Sequence, residues 1–100
     1  MHLETRKLLT ITTEAALEQS VLEDLDRLGA HGYTIVDARG RGHRGSRNAS
    51  WDLTSNIRIE VVCPEQVAEA IVTHIREHYY ANYAMIVFLS DVDVLRPEKF

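Results

Sequence analysis

Nine residues, Arg39 to Arg47 (RGRGHRGSR), set four arginines and His43 among three glycines, with no carboxylate in the run. A guanidinium group is a planar, permanently charged donor that matches the oxygens of carboxylate, phosphate or bicarbonate. Glycine lets backbone N–H groups come close to the same anion. Residue type and spacing therefore suggest an anion cradle on a loop. A solvated basic loop has the same composition, so the run alone does not decide between the two. The stretch continues through Trp51 to Asn56, and residues 39–56 together are too polar and glycine-rich to build a core.

The totals sharpen the choice. The chain has 100 residues and a formal charge of −4; removing the four positive charges of the run leaves −8 for the rest. General nucleic-acid binding wants a broad basic face, whereas a local positive site on an acidic body suits a small anionic ligand. Apolar residues make up 45% and charged residues 26%, the balance of an ordinary globular domain, and 100 residues predict a single domain. Cys63 is the lone cysteine, which excludes an intrachain disulfide and fits a reducing compartment. A buried strand-end thiol is its expected role. No apolar run approaches the ~20 residues that span a bilayer, and the first residues carry no signal-peptide pattern. A cytoplasmic protein is expected.

The elements that must position the loop follow from periodicity. Lys7 to Thr12 is short and β-branched, a first strand. From Glu14 the period changes: Leu17, Val21, Leu25 and Leu28 fall on one helical face, with Thr12 or Thr13 as cap and Gly29 as stop. Tyr33 to Ala38 reads as a second strand, leading into the basic loop. Ser55 to Cys63 alternates, with Ile57, Ile59 and Val61 on one face and Arg58 and Glu60 on the other. Pro64 opens a second helix with Val67, Ile71, Ile75 and Tyr79 as its stripe, through about Tyr80. Met85 to Leu89 is a fourth strand, which Asp91 to Leu95 extends or follows, and Pro97 ends order. The order βαββαβ predicts a ferredoxin-like α+β fold: a four-stranded antiparallel sheet with two helices on one face. The other face is left without a cover, which points to copies of the same chain.

Other chemistries fit poorly. His74 and His78 stand at i, i+4 on the second helix, but there is no HExxH frame and no evident third ligand, so a polar helix face explains them better. Ser46, Ser50 and Ser90 have no neighbouring base to activate them. The segment after the first strand lacks the tight glycine loop of an acylphosphatase-like site. The central strand has Arg58 and Glu60 where an RNA-binding sheet would carry stacking rings. A binding protein, not an enzyme, is the expectation.

Several stretches in order resemble the PII-like signalling proteins. Thr13-Glu14 through Gly29-Ala30-His31-Gly32-Tyr33-Thr34 is similar to that family's first strand, first helix and GxxGxT turn. Gly40-Arg41-Gly42 resembles the opening of its large T-loop, here about residues 39–56. Ser55 to Val62 resembles the return strand, and Tyr83 to Phe88 the last main strand. The GxGxR opening and further arginines are most similar to the bicarbonate-linked branch, the SbtB-like and carboxysome-associated PII proteins. The nitrogen-sensing pattern is not matched: His43-Arg44 stands where a 2-oxoglutarate-linked glutamine is usual, and Tyr80 to Met85 has no phosphate-gripping lysine. The loop also lacks the tyrosine that is uridylylated.

The resemblance implies a non-enzymatic homotrimer binding AMP or ADP, with cyclic AMP or ATP as further ligands, and bicarbonate. Its T-loop would regulate inorganic-carbon uptake or carboxysome function through a bicarbonate transporter or a carboxysome-associated protein. It assigns nucleotide binding to Thr34, Gly40, Arg41, Gly42, His43, Arg44, Arg47, Glu60, Val62 and Arg96. Bicarbonate falls to Arg44 and Arg47, and partner contact to Trp51. No metal or catalytic cofactor is implied. The alternatives are another ferredoxin-like trimeric module, of the metal-tolerance type, or a nitrogen-type PII regulator.

Overall fold

The computed structural model describes residues 2–40 and 55–100. Four strands, β1 (Glu4–Glu14), β2 (Thr34–Ala38), β3 (Asn56–Cys63) and β4 (Ile86–Val94), form one sheet in the order β2-β3-β1-β4, and every pairing is antiparallel. Helices α1 (Glu18–Arg27) and α2 (Glu65–His78) connect β1 to β2 and β3 to β4. This is the ferredoxin-like arrangement expected from the element order.

Alternation in the two central strands decides which face is covered. Leu9 and Ile11 of β1, and Ile57, Ile59, Val61 and Cys63 of β3, are buried in one cluster with Leu17, Val21 and Leu25 of the first helical segment and Ala68, Ile71 and Ile75 of α2. The opposite face shows Arg58, Phe88, Ile86 and Val36 to the surroundings. Phe88 is 55% exposed and Ile86 46%. That apolar area has no cover within the described chain. Cys63 is buried, as its place at a strand end suggested, and burial pushes its thiol up.

Element ends depart from the sequence reading in four places. β1 runs three residues earlier and two later than expected, because Glu4 to Lys7 pair with Asp91 to Val94 and Thr13-Glu14 pair with Asn56-Ile57. Thr12 and Thr13 therefore belong to the strand and do not cap the helix, which is entered through a 3-10 turn at Ala15–Leu17. Pro64 keeps an extended backbone and caps α2, its carbonyl accepting from the N–H groups of Val67 and Ala68. Order does not end at Pro97: Pro97–Lys99 forms a second 3-10 turn, and Arg6 Nη2 donates to the Pro97 carbonyl at 3.5 Å.

The stop of α1 is as expected. Gly29 has φ +104°, the Gly29 N–H bonds the Asp26 carbonyl, and the Ala30 N–H reaches back to Leu25. These two bonds are the Schellman pattern, and only glycine takes that backbone without strain. A Cβ at Gly29 would meet Val67 Cγ2 at 3.6 Å, ordinary contact, so the penalty is conformational. Gly29→Ala is expected to lower stability by about 1–2 kcal/mol in urea unfolding, with the m-value unchanged.

Candidate ligand site at the loop end of the sheet

Register places the predicted residues. At one end of the sheet Ala38 pairs with Asn56, Asn56 with Glu14, and Thr12 with Ile86. Both ends of the basic loop emerge here, at Arg39-Gly40 and at Ser55. The Ala15 N–H donates to the Ser55 carbonyl at 2.6 Å and ties the returning arm to the start of the first helical segment. The turn after α2, Tyr79 to Met85, lies at the same end because it leads into Ile86. Gly40 is exposed, and a Cβ there would meet nothing within 4 Å. Its glycine therefore answers no packing demand on this chain. Arg41, Gly42, His43, Arg44, Arg47 and Trp51 lie outside the described residues.

Thr34, Glu60 and Val62 share the open face. Thr34 stands opposite Glu60, Glu60 opposite Thr10, and Thr10 opposite Phe88, so one row crosses all four strands. A neighbouring row joins Val36, Arg58, Thr12 and Ile86. Arg58 Nε lies 3.7 Å from Glu60 Oε2, an exposed pair that holds little energy but leaves Glu60 available as an acceptor. Val62 is two residues further along β3, paired with Leu8. Arg96 is placed otherwise. It follows β4, whose last residue, Val94, pairs with Glu4 at the far end of the sheet. Eight residues of strand separate that end from Ile86, roughly 27 Å at strand rise. Within one chain, Arg96 and Gly40 cannot touch one small ligand.

The helix side holds a polar cluster that periodicity did not assign. Tyr79 caps α2 and is 6% exposed. Its hydroxyl donates to Asp24 Oδ2 at 2.6 Å and lies 2.6 Å from Ser20 Oγ, which therefore donates to it. His74 Nε2 is 3.0 Å from the same Asp24 oxygen, and Arg27 Nη2 donates to Asp24 Oδ1 at 3.0 Å. Burial alone would raise the Asp24 carboxyl; the donors Tyr79, Arg27 and His74 outweigh it and hold the group below its ordinary value. Burial, then the Asp24 carboxylate, pushes the Tyr79 phenol up and keeps its proton in place to donate. His74 stacks on His78 with ring centroids 4.2 Å apart. The pair weighed above as metal ligands is thus used, through His74, to join the helices. No group of three metal-ligating side chains occurs among the described residues. The sequence signal was Tyr79 itself, since a tyrosine in an apolar stripe needs a partner for its hydroxyl.

The Nitrogen regulatory protein P-II family model matches residues 6–99. The chain belongs to this family. Among solved structures, a PII-like signalling protein from Thermus thermophilus is 41% identical, with a TM-score of 0.84 over 100% of this chain and 99% of that one. CPII from Thiomonas intermedia K12, bound to ADP and bicarbonate, is 29% identical with a TM-score of 0.85, covering 99% of this chain and 97% of that one. The same protein bound to ADP, AMP and acetate is 29% identical with a TM-score of 0.85, over 100% and 98% of the two chains. The P-II assignment goes against the metal-tolerance type of module. No helix among the described residues of this P-II family chain is long and apolar enough to cross a membrane.

Proposed function

We propose that this P-II family protein is a cytoplasmic, non-enzymatic signalling regulator that binds ADP or AMP together with bicarbonate. The observation that carries the reading is the likeness, over nearly the whole chain, to a CPII protein bound to ADP and bicarbonate. The four loop arginines supply the charge-assisted donors such ligands need, on a chain that is otherwise acidic. Arg44 and Arg47 hold phosphate or bicarbonate, assisted by Arg41 and His43. The N–H groups at Gly40 and Gly42 complete the cradle. Thr34, Glu60 and Val62 frame adenine and ribose. A short phosphate chain needs only the loop arginines, and Tyr80 to Met85 carries no lysine for outer phosphates, which favours AMP, ADP or cyclic AMP over ATP.

The active form is a homotrimer with the nucleotide between subunits. Two features support this: the exposed Ile86 and Phe88 of the open face, and the separation of Arg96 from Gly40, which lets both serve one ligand only if they come from different copies. Residues 39–56 are the output. An anion at Arg44 and Arg47 offsets the repulsion of four like charges and fixes how Trp51 is presented. Through that contact the protein reports adenine-nucleotide state and bicarbonate to a bicarbonate transporter or a carboxysome-associated protein.

Arg44→Ala is expected to weaken ADP about tenfold or more in calorimetric titration, the loss of one charge-assisted hydrogen bond. The variant should keep the wild-type mass in light scattering. In hydrogen exchange, ADP should slow residues 39–56 far more than either helix. Unchanged ADP affinity in Arg44→Ala would remove the cradle as the phosphate site. Ligand-insensitive exchange across the loop would remove the signalling role.

A further inference from the structure

We propose that His74 and His78 are the two protein ligands of a site for a divalent cation of the zinc class, with Asp24 as the residue that orients His74. The proposal does not depend on the nucleotide reading above. The two imidazoles stand one turn apart on α2, and side chains at i and i+4 lie on the same helix face. Their ring centroids are 4.2 Å apart, with the planes 24° from parallel. His78 is exposed, so its ring has room to turn toward an ion shared with His74.

Spacing alone puts two rings on one face; the carboxylate on the neighbouring helix decides which nitrogen His74 offers. His74 Nε2 lies 3.0 Å from Asp24 Oδ2. An ionised carboxylate only accepts, so Nε2 carries the proton, and in the neutral ring Nδ1 keeps its lone pair. That is the form in which imidazole binds a metal. Asp24 is itself fixed, by the Tyr79 hydroxyl at 2.6 Å and by Arg27 Nη2 at 3.0 Å. A carboxylate behind a histidine is the usual support of a metal ligand, because it sets the tautomer, holds the ring and raises its basicity. Arg27 Nη2 also stands 3.5 Å from Nε2, at the nitrogen already in use. Two imidazole nitrogens suit Zn²⁺, Ni²⁺ or Cu²⁺, whereas Mg²⁺ and Ca²⁺ take oxygen. The described residues supply no third ligand, so water fills the remaining positions and the ion is exchangeable. A tie between the helices uses His74 alone and gives His78 no part.

The test titrates Zn²⁺ by calorimetry, without nucleotide, into chelator-treated wild type, His78→Ala, Asp24→Asn and His31→Ala. Wild type and His31→Ala should each take one Zn²⁺ per chain with the same affinity. His78→Ala should bind at least about tenfold more weakly, since the chelate loses one of its two arms. Asp24→Asn keeps both rings but removes the charge behind His74, and should also weaken Zn²⁺ about tenfold. In nitrogen NMR of the wild type, Zn²⁺ should move His74 Nδ1 and one His78 ring nitrogen while the His74 Nε2 proton stays in place. His78→Ala and these resonances carry the test should Asp24→Asn not fold. Zn²⁺ affinity unchanged in His78→Ala, ring shifts at His2 or His31 in place of His74 and His78, or no Zn²⁺ binding by the wild type would overturn the site. Affinity lost in His78→Ala but unchanged in a folded Asp24→Asn would overturn the role given to Asp24.

Discussion

Asp24→Ala is expected to cost about 2–3 kcal/mol of unfolding free energy, because it leaves the buried Tyr79 hydroxyl and the shielded His74 without their acceptor. Equilibrium urea unfolding measures it. Asp24→Asn keeps the shape and one acceptor oxygen, so it should cost less. The same residue gives stability an acid dependence of known sign. The folded-state pKa of Asp24 lies below its ordinary value of 3.8, so its contribution is complete above that value. The contribution is lost as pH falls through the lower folded value, where the carboxylate takes up a proton. The wild type should therefore lose stability below about pH 4 more steeply than Asp24→Asn, whose amide does not titrate. Parallel acid limbs would mean that Asp24 is not the hub that its three donors describe.

Phe88→Asp carries the larger consequence for function. Phe88 is 55% exposed on the open face and shares its row with Thr34 and Glu60. In a trimer that buries this face, an unpaired carboxylate there is costly to desolvate. Light scattering at micromolar concentration should show the wild type at three chains and Phe88→Asp at one. ADP affinity should fall with the assembly, since Gly40 and Arg96 of one chain stand at opposite ends of the sheet. A monomeric wild type would remove the intersubunit site. A monomeric Phe88→Asp that still binds ADP as tightly would place the site within one chain.

The fold was legible wherever a period and a stop coincided. Leu17, Val21 and Leu25 at helical spacing, followed by Gly29, gave α1 its buried stripe and its end. The alternation of Ile57, Ile59 and Val61 with Arg58 and Glu60 gave β3 both of its faces. Glu4 to Arg6 were not legible as strand, because two charged residues, Glu4 and Arg6, mask the pattern. What makes this a strand is the partner, as where the Thr5 hydroxyl donates to Asp93 Oδ1 at 3.1 Å, which no local window contains. The turn at Pro97 was missed for the same reason: its support comes from Arg6, 91 residues away.

Of the candidate site, the residue types were readable and their mutual placement was not. Thr34, Glu60 and Val62 do gather on one face, as a period of two requires. The distance between Arg96 and Gly40 depends on strand order and direction, which a linear sequence does not display. The Asp24 cluster was hidden because each member had a sufficient explanation of its own: an acidic off-stripe position, an apolar stripe, a histidine pair. Only the crossing of α1 and α2 brings those positions together.

The most direct measurement of the central claim is calorimetric titration of the wild-type protein with ADP, with and without bicarbonate, and with bicarbonate in the presence and absence of ADP. In the proposed function, a loop closed over a nucleotide would present Arg44 and Arg47 to bicarbonate without a further ordering cost. ADP is therefore expected to tighten bicarbonate, and bicarbonate to tighten ADP by the same factor. Two ligands that bind independently, or no bicarbonate binding up to tens of millimolar, would contradict it.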